Sequence, residues 1–373
     1  MIEFNHVTKQ YPDGTVAVDN LSLKVEKGSL TVFVGPSGCG KTTSMRMVNR
    51  MLEPTLGQIR LDGVDVAQGS AVELRRGIGY VIQNVGLLPH RTVVDNVATV
   101  LLLQGVHRKE ARSRALDVME RVGLPLELAR RFPASLSGGQ EQRVGVARAL
   151  AADPQVMLMD EPFSAVDPLV REELQRELRR LQAELHKTII FVTHDMDEAM
   201  LLGDRVAVFG GHGTLQQYAP PEEILARPAT EFVESLVGRD RGYRALSFLD
   251  AAELSTRPAP VVSIADSATA DLPDSGWLLV TTQSGHPMGW LDAAHQRSLN
   301  GAEPGAEALA PLGSQLIAGG SLRQALDAAL SSPSGQGVVV NSDGVATGVI
   351  GVDEVAARLA QVRAAEAAVG ANR

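Results

Sequence analysis

Lysine is scarce in this 373-residue chain: six against 29 arginines, the last being Lys187. Aromatic residues make up only 4%, so a core must be filled by Leu, Val, Ile and Ala. The single cysteine, Cys39, excludes an internal disulfide and suits a reducing compartment. No run of about 18 apolar residues is present to span a bilayer. Met1-Ile2-Glu3-Phe4-Asn5 does not open like a secretory signal. If the chain works at a membrane, another chain carries the spans. Acidic residues outnumber basic ones, 44 to 35, for a net charge of −9. That balance disfavours nucleic acid as a partner, since such affinity comes largely from Lys and Arg on phosphates. What remains, 44% hydrophobic and 21% charged, is an ordinary globular composition for two or three domains.

Through about residue 235, short apolar runs alternate with helical patterns. Leu30–Val34, Val156–Met159, Ile189–Val192 and Val206–Phe209 are continuous rather than alternating, as in strands of a parallel sheet covered on both faces. Pro168–Lys187 predicts a helix with proline in its first turn and favourable pairs at Asp167/Arg171 and Glu172/Arg176. Thr15–Val25 alternates like an antiparallel strand, as does Gly57–Val66 with a turn at Asp62-Gly63. The core is α/β with a β-rich N-terminal edge.

Composition shifts near Arg239, beyond which no lysine occurs. Gly276–Val280, Gly285 and Gly289–Leu291 match Gly335, Val338-Val339, Gly344 and Gly348–Ile350, the last pair 59 residues apart. Each copy reads strand, glycine turn, strand, helix, and a helix at Leu322–Leu330 precedes the second. The repeat predicts two βαββα-like units folded as a pseudo-symmetric pair.

Gly35-Pro36-Ser37-Gly38-Cys39-Gly40-Lys41-Thr42-Thr43 matches G-x-x-x-x-G-K-[ST] between a strand and a helix. Glycines let backbone N–H groups curl round phosphates, and the helix start favours negative charge. Lys41 can reach the β- and γ-phosphates and the Thr42 hydroxyl can ligate Mg²⁺. Cys39, near Lys41 and a helix N-terminus, is expected to have a lowered thiol pKa. A second strand ends in Asp160-Glu161, where parallel sheets place their ligands. Asp160 suits Mg²⁺, leaving Glu161 to deprotonate an attacking water. Leu136-Ser137-Gly138-Gly139-Gln140 opens a helix over Val144–Ala152, and Ser137 is a good cap. Its free N–H groups form a second anion cradle. The economical reading is that it serves a partner's nucleotide.

Leu136–Gln140 resembles the signature motif of ABC-type ATPases, and further elements follow in that family's order. Tyr11 resembles the aromatic on which adenine stacks, and Gln83 the Q-loop glutamine. Ser164–Asp167 resembles the D-loop, and His194 the switch histidine that touches the γ-phosphate. The resemblance implies a P-loop domain over 1–238 with a RecA-like parallel sheet, an antiparallel β edge and a helical subdomain at about 84–152. It implies ATP and Mg²⁺ as ligands, with Gln83 beside Thr42 and Asp160 at the metal and Asp167 among the nucleotide contacts. It also implies a head-to-tail homodimer in which each ATP lies between one chain's phosphate loop and the other's signature. Gln83 and Gly86–His90 look like the surface that meets transmembrane permease subunits.

The whole length resembles ATP-binding subunits of bacterial importers for quaternary amines and related osmoprotectants: glycine betaine, choline, carnitine and proline. Val16–Asn20, Gly79–Gln83, Val144–Leu150 and Gly238–Gly242 carry the likeness. It implies a peripheral place on the cytoplasmic face of the cell membrane and, indirectly, an extracytoplasmic solute-binding protein. It also implies a tandem CBS-like α+β regulatory domain over 239–373. Two features depart from CBS nucleotide sites. Gly351 stands where a Ser/Thr hydroxyl is usual, and the first unit lacks a good opening helix. Both favour a folding or dimer-contact role over nucleotide binding there. The alternatives are an importer ATPase for another small solute, one whose CBS-like module chiefly senses a ligand or ionic strength, and a non-transport ABC ATPase.

Overall fold

The computed structural model describes residues 1–164, 166–259, 261–263, 276–294 and 306–371. The chain divides into two compact units, Met1–Gly238 and Arg239–Arg373.

Ten strands build the first unit: β1 (Ile2–Gln10), β2 (Val16–Val25), β3 (Leu30–Val34), β4 (Leu56–Leu61), β5 (Val64–Asp65), β6 (Ile78–Val81), β7 (Val156–Asp160), β8 (Thr188–Val192), β9 (Arg205–Phe209) and β10 (Leu215–Ala219). One sheet has the order β10-β9-β3-β8-β7-β6. It is parallel except at β10, which pairs antiparallel with β9. Every residue of β3, β7 and β8 is buried, which is why their sequences are uninterrupted apolar runs. The strands at 15–25 and 57–66 join β1 in a separate antiparallel sheet, β2-β1-β4-β5. The two sheets share one core, in which Phe33 lies between Phe4 and Phe209 at centroid distances of 6.2 and 4.9 Å.

Register decides where the chemistry falls. Phe33 pairs with Val192, Val192 with Asp160, and Met159 with Val81. The residues that follow β3, β8, β7 and β6 therefore emerge side by side at one edge of the sheet. They are the glycine loop, His194, Glu161 and Gln83.

Helices Val93–Val97, Thr99–Leu103, Arg108–Arg121 and Gly138–Leu150 fill much of the span from 84 to 152. Asn96 anchors this region. It is fully buried, accepts from Leu88 N–H at 2.7 Å and donates to the carbonyls of Leu88, Arg91 and Thr92. Arg148 closes the other side on the carbonyls of Val85 and Gly86. Thus the 85–91 segment, irregular by itself, is held from two helices.

Two helices depart from the sequence expectation. Pro168–Leu185 stops short of Lys187 because His186 turns left-handed, φ 50°. Lys187 is instead buried against the Asp153 carboxylate at 2.7 Å. Asp167 and Arg171 do not use each other: Asp167 caps Leu169 N–H, and Arg171 turns to the Val166 carbonyl and to Asp195. Glycines notwithstanding, the helix expected from Val144 begins at Gly138. Ser137 and Gln140 form a reciprocal capping box that secures its first turn.

The second unit contains β11 (Val261–Ser263), β12 (Trp277–Thr281), β13 (Pro287–Asp292), β14 (Gln315–Ile317), β15 (Gln336–Val340) and β16 (Ala346–Gly351). They form two three-stranded sheets of identical pattern, one parallel and one antiparallel pair each. Leu279 and Trp290 of one sheet pack with Val338, Val340 and Val349 of the other. Their hairpin turns also meet, with Ala346 N–H donating to the Gly285 carbonyl at 3.0 Å. Helices Leu322–Ser331 and Val352–Ala371 complete a βαββα second copy. The helical parts of the first copy lie outside the described residues, as does the segment expected to lack an opening helix.

Candidate functional site

The loop from Gly35 to Gly40 ends in the helix Lys41–Val48. Gly40 is required there twice over: its φ is 94°, and a Cβ would lie 2.2 Å from the Ala17 carbonyl oxygen. Lys41 is buried, and its ammonium donates to the carbonyls of Gly35 and Pro36 at 2.7 and 2.8 Å. No carboxylate neutralises it among the described residues, so its charge is held over the loop for an anion.

Thr42 donates to Asp160 Oδ1 at 2.7 Å. Asp160 is buried, which pushes its carboxyl up, while Thr42 and Arg46 pull it down. Arg46 lies 3.5 Å from Asp160 Oδ2. Thr42 and Arg46 stand four residues apart on one helix face, so both reach the same carboxylate. That spacing was the available signal for Arg46, which the motif reading passed over.

Glu161 adopts a left-handed backbone, φ 44°, a strained state of about 1–2 kcal/mol for a side chain of this kind. Its N–H is tied to the Val192 carbonyl at 2.9 Å, and its own carbonyl accepts the Ser164 hydroxyl at 3.0 Å. Glu161 Oε2 then receives Gln83 Nε2 at 3.4 Å and faces His194 Nδ1 at 3.1 Å. A carboxylate so held is aimed at the space beyond the sheet edge.

The structure therefore brings together Lys41, Thr42, Gln83, Asp160, Glu161 and His194. Other expected residues stand apart from them. Ser137, Gly138, Gly139 and Gln140 start their own helix, and Tyr11 lies in the turn from β1 to β2 with Lys9 over its ring at 5.5 Å. Asp167 caps the helix Pro168–Leu185, while Ala165 is outside the described residues.

Cys39 corrects the expectation of an activated thiol. Only 4% exposed, its sulfur is desolvated, and this outweighs the attraction of Lys41 and raises the pKa. Position beside a helix start is not enough without water.

The residues fit a magnesium ion by donor type. Among the described residues no cluster of three or more His, Cys, Asp or Glu could hold a metal alone. The Thr42 hydroxyl, the Asp160 carboxylate and the Gln83 amide carbonyl are hard oxygen donors of the kind Mg²⁺ takes beside phosphate oxygens.

A glycine loop, an acidic strand end and a histidine at one sheet edge define a P-loop nucleotide-binding domain. The family model described as ABC transporter matches residues 18–164. The chain is 42% identical over 313 residues to the osmoprotectant import ATP-binding protein OsmV of Salmonella typhimurium, covering 81% of each. It is 50% identical over 241 residues to the carnitine transport ATP-binding protein OpuCA of Listeria monocytogenes, covering 65% of this chain but only 60% of that protein. Among solved structures, the cassette MJ0796, a dimer bound to ADP and Pi, aligns with a TM-score of 0.54 and 33% identity. The alignment covers 59% of this chain and 99% of that one. The chain belongs to the ATP-binding proteins of ABC transporters.

Proposed function

We propose that this chain is the ATP-hydrolysing subunit of a bacterial importer for quaternary-amine osmoprotectants. The observation that carries the catalytic half is the convergence on Glu161 of Gln83 and His194, beside Thr42–Asp160 and Lys41. Lys41 stabilises charge on the β- and γ-phosphates, and the glycine-loop N–H groups hold them. Thr42, Asp160 and Gln83 would hold Mg²⁺, which supplies charge neutralisation at the phosphate oxygens. Glu161 orients the attacking water and takes its proton, while His194 reads the terminal phosphate. The Ser137–Gln140 cradle lies apart from these groups, which supports its closing over ATP held by a second copy. Loss of the γ-phosphate removes those contacts and frees the pair, a population shift that can move attached permease subunits.

The solute class rests on relatives named for carnitine and osmoprotectant transport. The 85–91 segment, braced by Asn96 and Arg148, is our choice for the permease contact. No helix among the described residues is long and apolar enough to cross a membrane, which fits attachment to the cytoplasmic face through those subunits. A solute-binding protein outside would deliver the cargo. We read 239–373 as a tandem CBS-like regulatory module, supported by the matched hairpins. Glu354 there is already engaged by Arg257 at 2.9 Å and by Gly351 N–H at 2.8 Å, which favours a folding or contact role over nucleotide binding.

The test is to purify the chain with its permease and solute-binding protein in liposomes and titrate glycine betaine, choline, carnitine and proline against ATP hydrolysis. Stimulation by one of them supports the reading; hydrolysis indifferent to all four rejects the solute class.

A further inference from the structure

Behind the Glu161–His194 pair lies a small cavity lined by Ser164, Arg171, Thr193, Asp195 and Glu198 among others. Glu198 and Gln175 are each only 6% exposed, and Gln175 Nε2 donates to Glu198 Oε1 at 3.0 Å. Gln175 belongs to the helix Pro168–Leu185, which Asp167 caps. Glu198 belongs to the helix Met196–Leu202, which begins two residues after His194. The other bonds run to His194's neighbours. Thr193, buried, lines the same cavity as Glu198 and accepts Asp195 N–H at 3.0 Å. Asp195 in turn caps Asp197 and Glu198 N–H and faces Arg171, which donates to the Val166 carbonyl. His194 is thus flanked on both sides by residues fastened to the same two helices.

We propose that Glu198 is a positioning residue: its carboxyl group, bonded to Gln175 and set beside Thr193, fixes the placement of His194 against Glu161 and couples it to the helix Pro168–Leu185. This rests on the hydrolytic reading of the site and goes beyond it by assigning the support of His194. Burying a carboxyl group this completely is costly unless its oxygens are bonded, so the group is not a filler of the core. Burial pushes the Glu198 carboxyl up, opposed by Thr193 and Gln175, with Asp195 raising it further and Arg171 lowering it. Glu161 and His194 face the same cavity. Carboxyl oxygen Oε1 accepts the Gln175 amide, and the Glu198 backbone N–H is held by Asp195. Glutamine at 198 keeps the shape and one acceptor, whereas alanine releases both helices.

The test uses the full-length protein with MgATP. Glu198→Ala is expected to lower kcat by about 10- to 100-fold while KM for ATP stays within about twofold, since the phosphate loop is untouched. Glu198→Gln should recover most of the rate. Thr193→Val, which removes the hydroxyl at nearly constant shape, should reproduce the alanine pattern if Glu198→Ala fails to fold. In a His194→Ala background, Glu198→Ala should cost nothing further, because it acts through that histidine. A Glu198→Ala enzyme at full rate, a KM that rises with the lost kcat, or additive losses with His194→Ala would overturn the proposal. A wild-type chain that does not hydrolyse ATP would instead overturn the reading of the site itself.

Discussion

Glu161 Oε2 lies 3.1 Å from His194 Nδ1, with Gln83 Nε2 closing on the same oxygen at 3.4 Å. One carboxylate thus answers to two loops from different strands. Glu161→Gln removes the proton acceptor but keeps shape and loop geometry. Hydrolysis should fall by about 10²- to 10⁴-fold with ATP still bound. Single-turnover assays and size-exclusion chromatography in MgATP should show an accumulated ATP-bound dimer. Comparable hydrolysis in the mutant rejects Glu161 as the base.

Lys41→Ala removes a buried cation held over the loop by two carbonyls. ATP affinity should drop by roughly tenfold or more, as for loss of a charge-assisted bond of about 1.5–3 kcal/mol. Equilibrium titration with a fluorescent ATP analogue measures it, and unchanged affinity would remove Lys41 from the phosphate site.

Cys39 should resist alkylation in the folded protein, since its thiol is buried and its pKa raised. A maleimide at pH 7.5 (about one unit below the ordinary thiol pKa) should label native protein slowly and urea-unfolded protein quickly. Rapid native labelling would mean that the loop opens far more readily than its packing implies.

Asn96→Ala strips four hydrogen bonds from a fully buried site. It should destabilise the first unit by about 2–3 kcal/mol, the cost of backbone groups left unbonded. Urea unfolding reads the change, and proteolysis near 85–91 should accelerate. A loss under about 0.5 kcal/mol would show that water replaces the amide freely.

Asp95 takes two bonds from Arg112, at 2.8 and 2.7 Å, which hold its carboxyl below the usual carboxylate range. A depressed folded pKa gives stability present above the unfolded value and lost as pH falls through the folded one. With Arg112 substantially exposed, screening limits the effect to about 1 kcal/mol or less. Asp95→Asn should therefore narrow the stability difference between neutral pH and pH 3 in chemical denaturation. An unchanged difference would deny the ion pair any role.

Sequence periodicity sufficed for the parallel strands, because burial on both faces leaves an unbroken apolar run. Motif spacing sufficed to set Lys41 beside Thr42, because a strand–loop–helix turn fixes them locally, whereas Asp160, 118 residues on, meets Thr42 only through the pairing of the strands. It did not suffice where geometry depends on partners distant in sequence. Cys39 is two residues from a lysine, yet its pKa is set by exclusion of water, which no local spacing encodes. Asn96 reads as a helix residue, and only the fold returns the 88–92 backbone to its amide. Arg171 was paired with Asp167 by helical spacing, but a proline-started helix with Asp167 as its cap leaves that carboxylate committed to the backbone. The Glu198–Gln175 bond joins two helices across a strand, and such crossings lie beyond periodicity.

The contact of Gly40 with the Ala17 carbonyl has a mechanical meaning. Gly213 presses on the same stretch, where a Cβ would lie 2.6 Å from both the Ala17 oxygen and Val18 Cα. The two glycines are themselves neighbours, a Cβ on Gly40 lying 3.1 Å from Gly213 Cα, so strand β2, the phosphate loop and the Gly211–Gly213 turn meet at one point. Tyr11 hangs from the turn just before that strand. A side chain at position 40 or 213 would have to displace the Ala17–Val18 backbone, so one short stretch of β2 sets the spacing of the phosphate loop and of the Gly211–Gly213 turn together.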